Sequence, residues 1–518
     1  MIHRELLIGG VFLGGECDQG IGKEVSRNPY NMTLVGTSAE AGAPEVEAAI
    51  VAATDAFSTW RKSTGAERAP ILRRIAELIR ERTPELELLA ADEIGKPVAL
   101  ARGELIRTAL TFELAAEIAE QASTKEVDLA YDPRSRAPLS CALPMPGSEA
   151  VAAEERGRGR GDEEAIPAYT AQIARFPIGP ILCITPYNWP FNLAAHKVAP
   201  ALAAGNTVIL KGSSAAPLCS LSLARIIHEA GCPPGVLNAI QTVPPLAEKM
   251  ATDPRIAMVS FTGSPAVGWH LKKLCSDKRV ALELGGDAYA VVCEDAELDR
   301  AAKRCAAGGF AYAGQICISV QHVVAHESVY DDLRERLIQE TEETKFGNPR
   351  EEHCVCGPLI TPEAALKVME WIEESEQRGS EVLVGGNRIG NIVEPTLIEM
   401  PERWDGEPPR ISCEEVFGPI ITLSRYSDFG EVIERINRGR YGIHTGVFTT
   451  DQQRIQQAFN ELEVGGVVIG DGPNIRFDAL PYGGVKQSGF GREGVRFAYE
   501  EMTEWKSLVT ASDQVRKA

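Results

Sequence analysis

Gly179-Pro180-Ile181-Leu182-Cys183-Ile184-Thr185-Pro186-Tyr187-Asn188-Trp189-Pro190 opens as a short apolar run and breaks into a proline-bounded turn. A helical stretch carrying Leu193, Val198, Ala201 and Leu202 follows, and Gly205-Asn206 ends it. Val208-Ile209-Leu210 then reads as a buried strand ending on Lys211, and a helix over 217–230 closes at Gly231 with Pro233 beyond. Met258-Val259-Ser260-Phe261 is a further strand, running into Thr262-Gly263-Ser264 and a helix that contains Gly268. Strands alternating with helices at this spacing predict a parallel, doubly wound α/β sheet. In such sheets a ligand sits at the carboxyl ends of the strands, where Lys211 and Gly263 both fall.

The pattern differs on either side. Upstream, after a short start rich in glycine and strand formers, Val46, Ile50, Ala53, Phe57 and Trp60 recur at helical spacing, as do Ile71, Leu72, Ile75, Leu78 and Ile79. A further helix ends at Gly95-Lys96-Pro97, a cap followed by a residue that cannot continue it. Residues 131–166 break the rhythm with four prolines and the charged run 154–164, the composition of an exposed loop or projecting arm. Downstream, Val280-Ala281-Leu282-Glu283-Leu284 is a strand that breaks at Gly285-Gly286, and a second α/β block runs from about 288 to 481. It includes a helix over 329–344 and a strand over 320–325. The expected division is 1–131 with 167–283, then 284–483, then 132–166 with 484–518.

Composition excludes several classes. The chain has 518 residues, 44% hydrophobic and 24% charged, enough for about three ordinary globular domains. Lys plus Arg is 53 and Asp plus Glu is 73, so the net charge of −20 argues against nucleic acid or an anionic membrane as partner. No apolar run reaches the ~18 residues of a membrane span, and the first residues lack a secretory pattern. The 12 cysteines are scattered, so they read as reduced thiols of a cytoplasmic protein. Cys354 and Cys356 form the one close pair, with no second cluster to complete a metal site, and no metal is expected.

One cysteine stands apart. Cys317 follows Ala313-Gly314-Gln315-Ile316 at the end of a helical pattern, just before a strand. A thiol on a short glycine-containing connection between rigid elements is a candidate nucleophile, because access and thiolate character set its reactivity. Taken alone, a cysteine is more often a small core residue.

The surrounding motifs change that balance. Pro186-Tyr187-Asn188-Trp189-Pro190, Phe261-Thr262-Gly263-Ser264, Glu283-Leu284-Gly285-Gly286, Gly314-Gln315-Ile316-Cys317, Glu414-Glu415-Val416-Phe417-Gly418-Pro419 and Pro481-Tyr482-Gly483-Gly484 with Val485-Lys486-Gln487-Ser488-Gly489 occur in this order. Together the chain resembles the aldehyde dehydrogenase superfamily over nearly its whole length. The resemblance implies two doubly wound parallel-sheet domains, one for the dinucleotide and one catalytic, plus a small β oligomerisation arm. It implies oxidation of an aldehyde to the carboxylate through a cysteine thiohemiacetal and a thioester. Cys317 would be the nucleophile, Asn188 a donor to the oxyanion, and Glu283 the base for thiol or water. The acyl-CoA-releasing branch generally lacks this glutamate, so Glu283 favours hydrolysis.

The same resemblance implies NAD or NADP. It puts Ile184, Thr185, Pro186, Tyr187 and Leu284 along the cofactor, and Lys211 with Ser213 and Ser214 at the adenosine ribose. Gly263, Ser264 and Gly268 would lie near the pyrophosphate, at a helix start, and Glu415 with Phe417 near the nicotinamide. NAD-preferring members commonly carry Lys-Pro-x-Glu, whereas this chain has Lys211-Gly212-Ser213-Ser214. Serine removes a charge that would oppose a 2′-phosphate, which favours NADP. Gln241-Thr242-Val243-Pro244-Pro245 also lacks the glycines that many relatives place there.

Asn192, Ile316, Ile318 and Arg476 are the expected substrate residues, with the isoleucines as an apolar throat and Arg476 as a clamp for an anion. Arg476 also has Asp471 and Asp478 nearby in sequence as alternative partners. Likeness to the succinic semialdehyde, lactaldehyde and glyceraldehyde branches points to a small polar aldehyde, in some cases anionic, and to a homodimer or homotetramer. Two other readings stay open: a CoA-acylating enzyme, and a non-catalytic binding or structural protein on the same fold.

Overall fold

The computed structural model describes residues 2–14, 22–122, 124–129, 169–403 and 406–511. The proline-rich stretch 131–166, with its charged run, lies outside them.

Four helices lead the chain after its first strands: Ala43–Trp60, Gly65–Glu81, Thr83–Ile94 and Val98–Gln121. Their limits follow from local chemistry. Thr64 caps the second helix by accepting from the Glu67 N–H, and the Glu67 carboxylate accepts the Thr64 N–H at 2.7 Å in return. The third ends on Gly95 at φ 68°, a conformation glycine adopts without strain.

The first sheet follows from the short apolar runs. Five parallel strands lie in the spatial order Arg279–Glu283, Met258–Thr262, Ile181–Ile184, Val208–Lys211 and Leu237–Ile240. The chain winds one way from Ile181–Ile184 and then restarts on its other side at Met258–Thr262. That reversal opens a crevice at the carboxyl edge between Thr185 and Gly263. The register lines up Glu283 with Thr262, Phe261 with Ile184, and Ile184 with Lys211.

The second sheet runs Glu381–Val384, Thr396–Glu399, Ile420–Tyr426, His322–His326, Tyr289–Val292, His444–Phe448 and Gly466–Ile469, parallel except at its first strand. Its central strand Tyr289–Val292 is an apolar run buried along its length, as burial on both faces requires, while the edge strands are half-exposed. A β-carbon on Gly286 would come within 2.5 Å of the Cys317 carbonyl. The Cys317 loop is thus pressed against the end of the chain leaving the first sheet.

A three-stranded antiparallel arm joins Thr503–Ala511, Tyr169–Pro177 and Lys125–Val127. Three segments depart from the expected division, the first being Lys125–Val127, which was expected in the first domain and pairs in the arm. Tyr169–Pro177 belongs to the arm, because its hydrogen bonds run to the last strand rather than to a parallel neighbour. Gly489–Phe490, expected in the arm, adds to the edge of the first sheet beside Leu282 and Glu283. A two-residue strand has no alternation to read. Among the described residues no helix is long and apolar enough to cross a membrane.

Candidate active site

The segment before Cys317 is strained and tightly held. The helix Leu298–Phe310 runs into a single tight turn, Ala311–Gly314, where Tyr312, Ala313 and Gly314 all sit in the left-handed region (φ 52°, 53° and 66°). Such a conformation costs roughly 1–2 kcal/mol for each non-glycine residue. The Tyr312 N–H donates to the Val355 carbonyl at 2.9 Å and its buried hydroxyl donates to the Ile94 carbonyl at 3.1 Å, which holds the turn. Gly314 cannot be larger, since a β-carbon would lie 2.0 Å from the Gly418 carbonyl.

Gln315 is fully buried and acts as a brace. Its side-chain oxygen accepts from the Tyr187 hydroxyl and the Ile360 N–H, both at 3.0 Å. Cys317 follows, half-buried, with its sulfur 3.0 Å from the Tyr482 hydroxyl. Burial pushes the thiol up to about 12; the Tyr482 bond and the Arg476 charge oppose that, while Glu415 and Glu283 add to it. At neutral pH the sulfur therefore rests as a thiol that needs a base.

Asn188 reaches the same segment. Its side-chain nitrogen donates to the Gln315 carbonyl at 2.8 Å, which uses one of its two N–H bonds. The loop that carries it is fixed by an ion pair with no exposed atoms. Lys96 lies 2.6 Å from Glu104, donates to the Asn188 carbonyl at 3.0 Å and sits 3.4 Å above the Trp189 ring. The second oxygen of Glu104 accepts the Phe191 and Asn192 N–H groups at 2.8 and 2.9 Å, capping the helix Asn192–Ala204.

Glu283 ends its strand with one carboxyl oxygen buried and without a partner. Burial raises its carboxyl well above the usual range, and the nearby Glu493 adds to this; Arg476, Lys197 and Arg492 oppose it. Burial would raise Glu493 too, but Lys197 at 2.7 Å and Arg476 at 3.2 Å overcome it and hold that carboxyl at about 2. Two adjacent carboxyl groups are thus driven apart, one toward the acid form and one toward the anion.

The expected substrate residues fare unevenly. Arg476 is buried, paired with Glu493, 3.9 Å from Asp478 and 3.7 Å above the Tyr482 ring, while its Nε is buried without a hydrogen-bond partner. Asn192 is also turned inward: it is 1% exposed and its side chain accepts from Thr111 at 3.2 Å. Ile318 is buried against Ile443 and Tyr482, leaving Ile316 as the partly exposed member of the pair. Asp478 is held by Arg107 and by His196 at 2.9 Å.

Of the residues expected along the cofactor, Ser264 lines a surface cleft, and the others lie on neighbouring strand ends, loops and helices. Ser264 begins the helix Pro265–Leu274 with its side chain unused for capping, and that helix start opens on a cleft of about 680 Å³ reached also by Trp269, Glu414 and Arg440. Gly268 packs closely under the Leu284 side chain, whose terminal methyl would lie 2.4 Å from a β-carbon there. The side-chain oxygens of Thr185 and Thr262 and both ends of the Gln241 amide are buried without partners at the carboxyl edge of the sheet. Glu415 accepts the Gly286 N–H at 3.0 Å, and the Phe417 ring meets that of Tyr187 edge-on at 6.2 Å. Ser213 closes a turn onto the Ala215 N–H, and Ser214 is exposed. Lys211 lies mostly buried between strand ends; burial lowers its ammonium and the charges of Glu24 and Glu40 raise it. Orphaned polar atoms, a helix start and a cation along one edge fit a dinucleotide.

Tyr482, Lys96, Glu104, Lys197, Glu493 and Arg107 were not singled out in the sequence. A signal existed for Glu104: it shares a helical face with Ala101, Leu105 and Thr108, and a carboxylate on a buried face requires a buried partner.

Comparison with known proteins agrees with this geometry. The sequence model described as the aldehyde dehydrogenase family matches residues 18–508. The chain is 34% identical over 501 residues to the 3-sulfolactaldehyde dehydrogenase of Priestia aryabhattai, covering 96% of this chain and 97% of that protein. Among solved structures, aldehyde dehydrogenase 21 of Physcomitrella patens in complex with the reaction product succinate superposes with a TM-score of 0.88 at 33% identity, over 98% of each chain. The glyceraldehyde-3-phosphate dehydrogenase of Methanocaldococcus jannaschii complexed with NADP superposes with a TM-score of 0.84 at 32% identity, covering 94% of this chain and 99% of that one.

Proposed function

The chain belongs to the aldehyde dehydrogenase family, as an NAD(P)-dependent oxidoreductase, and from that premise we propose that it oxidises a small, polar, acid-bearing aldehyde to the free carboxylate. The observation that carries the reading is the buried, unpartnered oxygen of Glu283, whose charge acts on the half-buried Cys317 thiol, with Asn188 bonded to the segment before that thiol.

In this reading the Cys317 proton passes to Glu283, and the sulfur adds to the aldehyde carbon. The second N–H of Asn188 and the backbone N–H of Cys317 hold the oxyanion, a donor of this kind being worth about 3 kcal/mol in the transition state. A dinucleotide in the cleft supplies acceptance of a hydride. Glu283 gives the Cys317 proton up to solvent, and its carboxylate then removes a proton from the water that hydrolyses the thioester, with the Cys317 sulfur as leaving group. A carboxyl raised by burial is suited to both transfers, because it takes a proton readily and stays ready to lose it.

Lys211, Ser213 and Ser214 would hold the adenosine ribose, and Gly263, Ser264 and Gly268 the pyrophosphate end. Ile184, Thr185, Pro186, Tyr187 and Leu284 would line its length, and Glu415 and Phe417 the nicotinamide end. Exposed Ser214 supports NADP as the preferred cofactor.

Support for an acid-bearing substrate comes from the names above: 3-sulfolactaldehyde, glyceraldehyde-3-phosphate and succinate all carry an anionic group. The cations suited to it are Arg107, whose Nε and one Nη also hold Asp478, and Arg476, whose Nε is buried without a partner. The Arg107 guanidinium lies 5.8 Å from the Trp189 ring centroid, next in sequence to Asn188, and the side chain is 29% exposed. The arm strand leaves Trp505, Leu508 and Val509 exposed, which supports a homodimer or homotetramer joined there. Free cysteines and a thiol nucleophile suit the reducing cytoplasm.

The test is reduced-nicotinamide absorbance with NAD or NADP and a panel of short aldehydes, with Cys317→Ser as the matched control. Turnover of sulfo-, phospho- or carboxy-substituted aldehydes without CoA, absent in the control, is expected. Faster turnover of neutral aldehydes, or a requirement for CoA, would overturn the reading.

A further inference from the structure

We propose that Tyr482 is a further catalytic residue, its phenol donating a hydrogen bond to the Cys317 sulfur and setting how readily that sulfur ionises. The inference rests on the reading of Cys317 as the nucleophile.

Three observations carry it. The hydroxyl lies 3.0 Å from the sulfur, 165 residues away in sequence, and among the described residues it is the one group hydrogen-bonded to that atom. The ring is also fixed on every side. Its backbone exchanges two hydrogen bonds with Glu493, at 2.9 and 2.7 Å, and its faces meet Ile318, Ile443 and the His444 ring at 5.3 Å. Finally, the Arg476 guanidinium lies 3.7 Å above the ring centroid, held there by Glu493. A cation over the ring draws electron density from it and makes the phenol a better donor.

The charges around the sulfur explain why such a donor matters. Glu283 faces it from the strand Arg279–Glu283, and Glu415 from the loop before Phe417; both disfavour a thiolate. Arg476, beyond the strand Gly466–Ile469, favours it. Asp287 and His444 line a pocket of about 10 Å³ on the other side of Cys317. When the thiol proton passes to the Glu283 carboxylate, the S–H electron pair stays on sulfur. Tyr482 keeps its own proton and shares it with the new thiolate. A hydrogen bond to a charged group is stronger than one to a neutral thiol, so the bond favours ionisation.

This also gives Arg476 a role toward the tyrosine that touches the nucleophile.

Tyr482→Phe removes one oxygen and retains the ring and its stack. The measurement is the rate of iodoacetamide alkylation against pH in full-length, cofactor-free enzyme. It is followed by mass spectrometry on the peptide containing Cys317, because exposed Cys413 also reacts. The variant should shift the alkylation midpoint up by about one pH unit and slow the reaction roughly tenfold below it. It should lower kcat and leave the cofactor Kd and the thermal midpoint near wild type, which a purely structural role would not do. An unchanged midpoint would overturn the proposal. If Cys317→Ser instead retained full turnover, the reading of the nucleophile itself would fail, whatever Tyr482→Phe did.

Discussion

Lys96 donates to the backbone carbonyl of Asn188 over 3.0 Å from a side chain with no solvent exposure, while Glu104 at 2.6 Å balances its charge. One buried pair therefore fixes both the loop that carries Asn188 and the start of the next helix. Burial lowers the Lys96 ammonium to about 8 against the opposing Glu104 charge, so the pair depends on both members.

Removing Lys96 alone should be severe. Lys96→Met leaves Glu104 buried without its cation, and a loss of about 3–5 kcal/mol in stability is expected by denaturant unfolding. The double variant Lys96→Met with Glu104→Gln keeps the helix cap and removes both charges. It should fold, and it should lower kcat by roughly tenfold or more with little change in KM. Combined with Asn188→Ala, the loss should be less than additive, because both act through one donor. Additive losses in kcat would contradict the shared route.

Gly314→Ala should be among the worst conservative changes in the chain. The new β-carbon would meet the Gly418 carbonyl at 2.0 Å, and the residue sits at φ 66°. A cost of roughly 2–4 kcal/mol is expected, with the Cys317 loop displaced. Unfolding in urea and activity of the folded fraction check this together; a variant as stable and active as wild type would contradict the packing.

Glu283→Gln should stabilise the protein while abolishing turnover. The folded carboxyl titrates well above its unfolded value, so between the two the unfolded chain ionises first. The penalty is absent below about pH 4.5, grows as pH rises and is complete above the folded value. The variant should melt higher than wild type by about 1–3 °C at pH 8, and by less at pH 5. An equal gain at both pH values would contradict the raised carboxyl.

Cofactor choice should respond to charge at the adenosine end. Ser214→Glu restores a carboxylate that opposes a 2′-phosphate and should weaken NADP roughly tenfold relative to NAD. Glu24→Gln removes one of the acids near Lys211 and should shift the ratio the other way. Tryptophan-quenching titrations with both cofactors measure it, and an unmoved ratio in both variants would show that this edge does not discriminate.

Much of this architecture was legible from local pattern. Ile181–Ile184, Val208–Lys211 and Met258–Thr262 are short apolar runs bounded by turn residues, which predicts a parallel sheet with Lys211 and Gly263 at its carboxyl edge. Cys317, Glu283 and Asn188 each lie in a motif of fixed local form, which is what drew attention to them as candidates. What was hidden depends on approach between distant segments. Tyr482 meets Cys317 from 165 residues away, and Lys197 meets Glu493 from 296. Arg476 and Asn192 looked like substrate contacts because sequence gives proximity to a motif but not the direction of a side chain. In the fold both turn inward, toward Glu493 and Thr111.

The most direct test traps the acyl group on the protein. Glu283→Gln should form the thioester slowly and hydrolyse it more slowly still. After mixing with cofactor and a turnover-competent aldehyde, intact-mass and peptide analysis should find one acyl group per chain, on the peptide carrying Cys317. Mild hydroxylamine should release it. An adduct on another residue such as Cys413, or product formation by Cys317→Ser, would contradict the account.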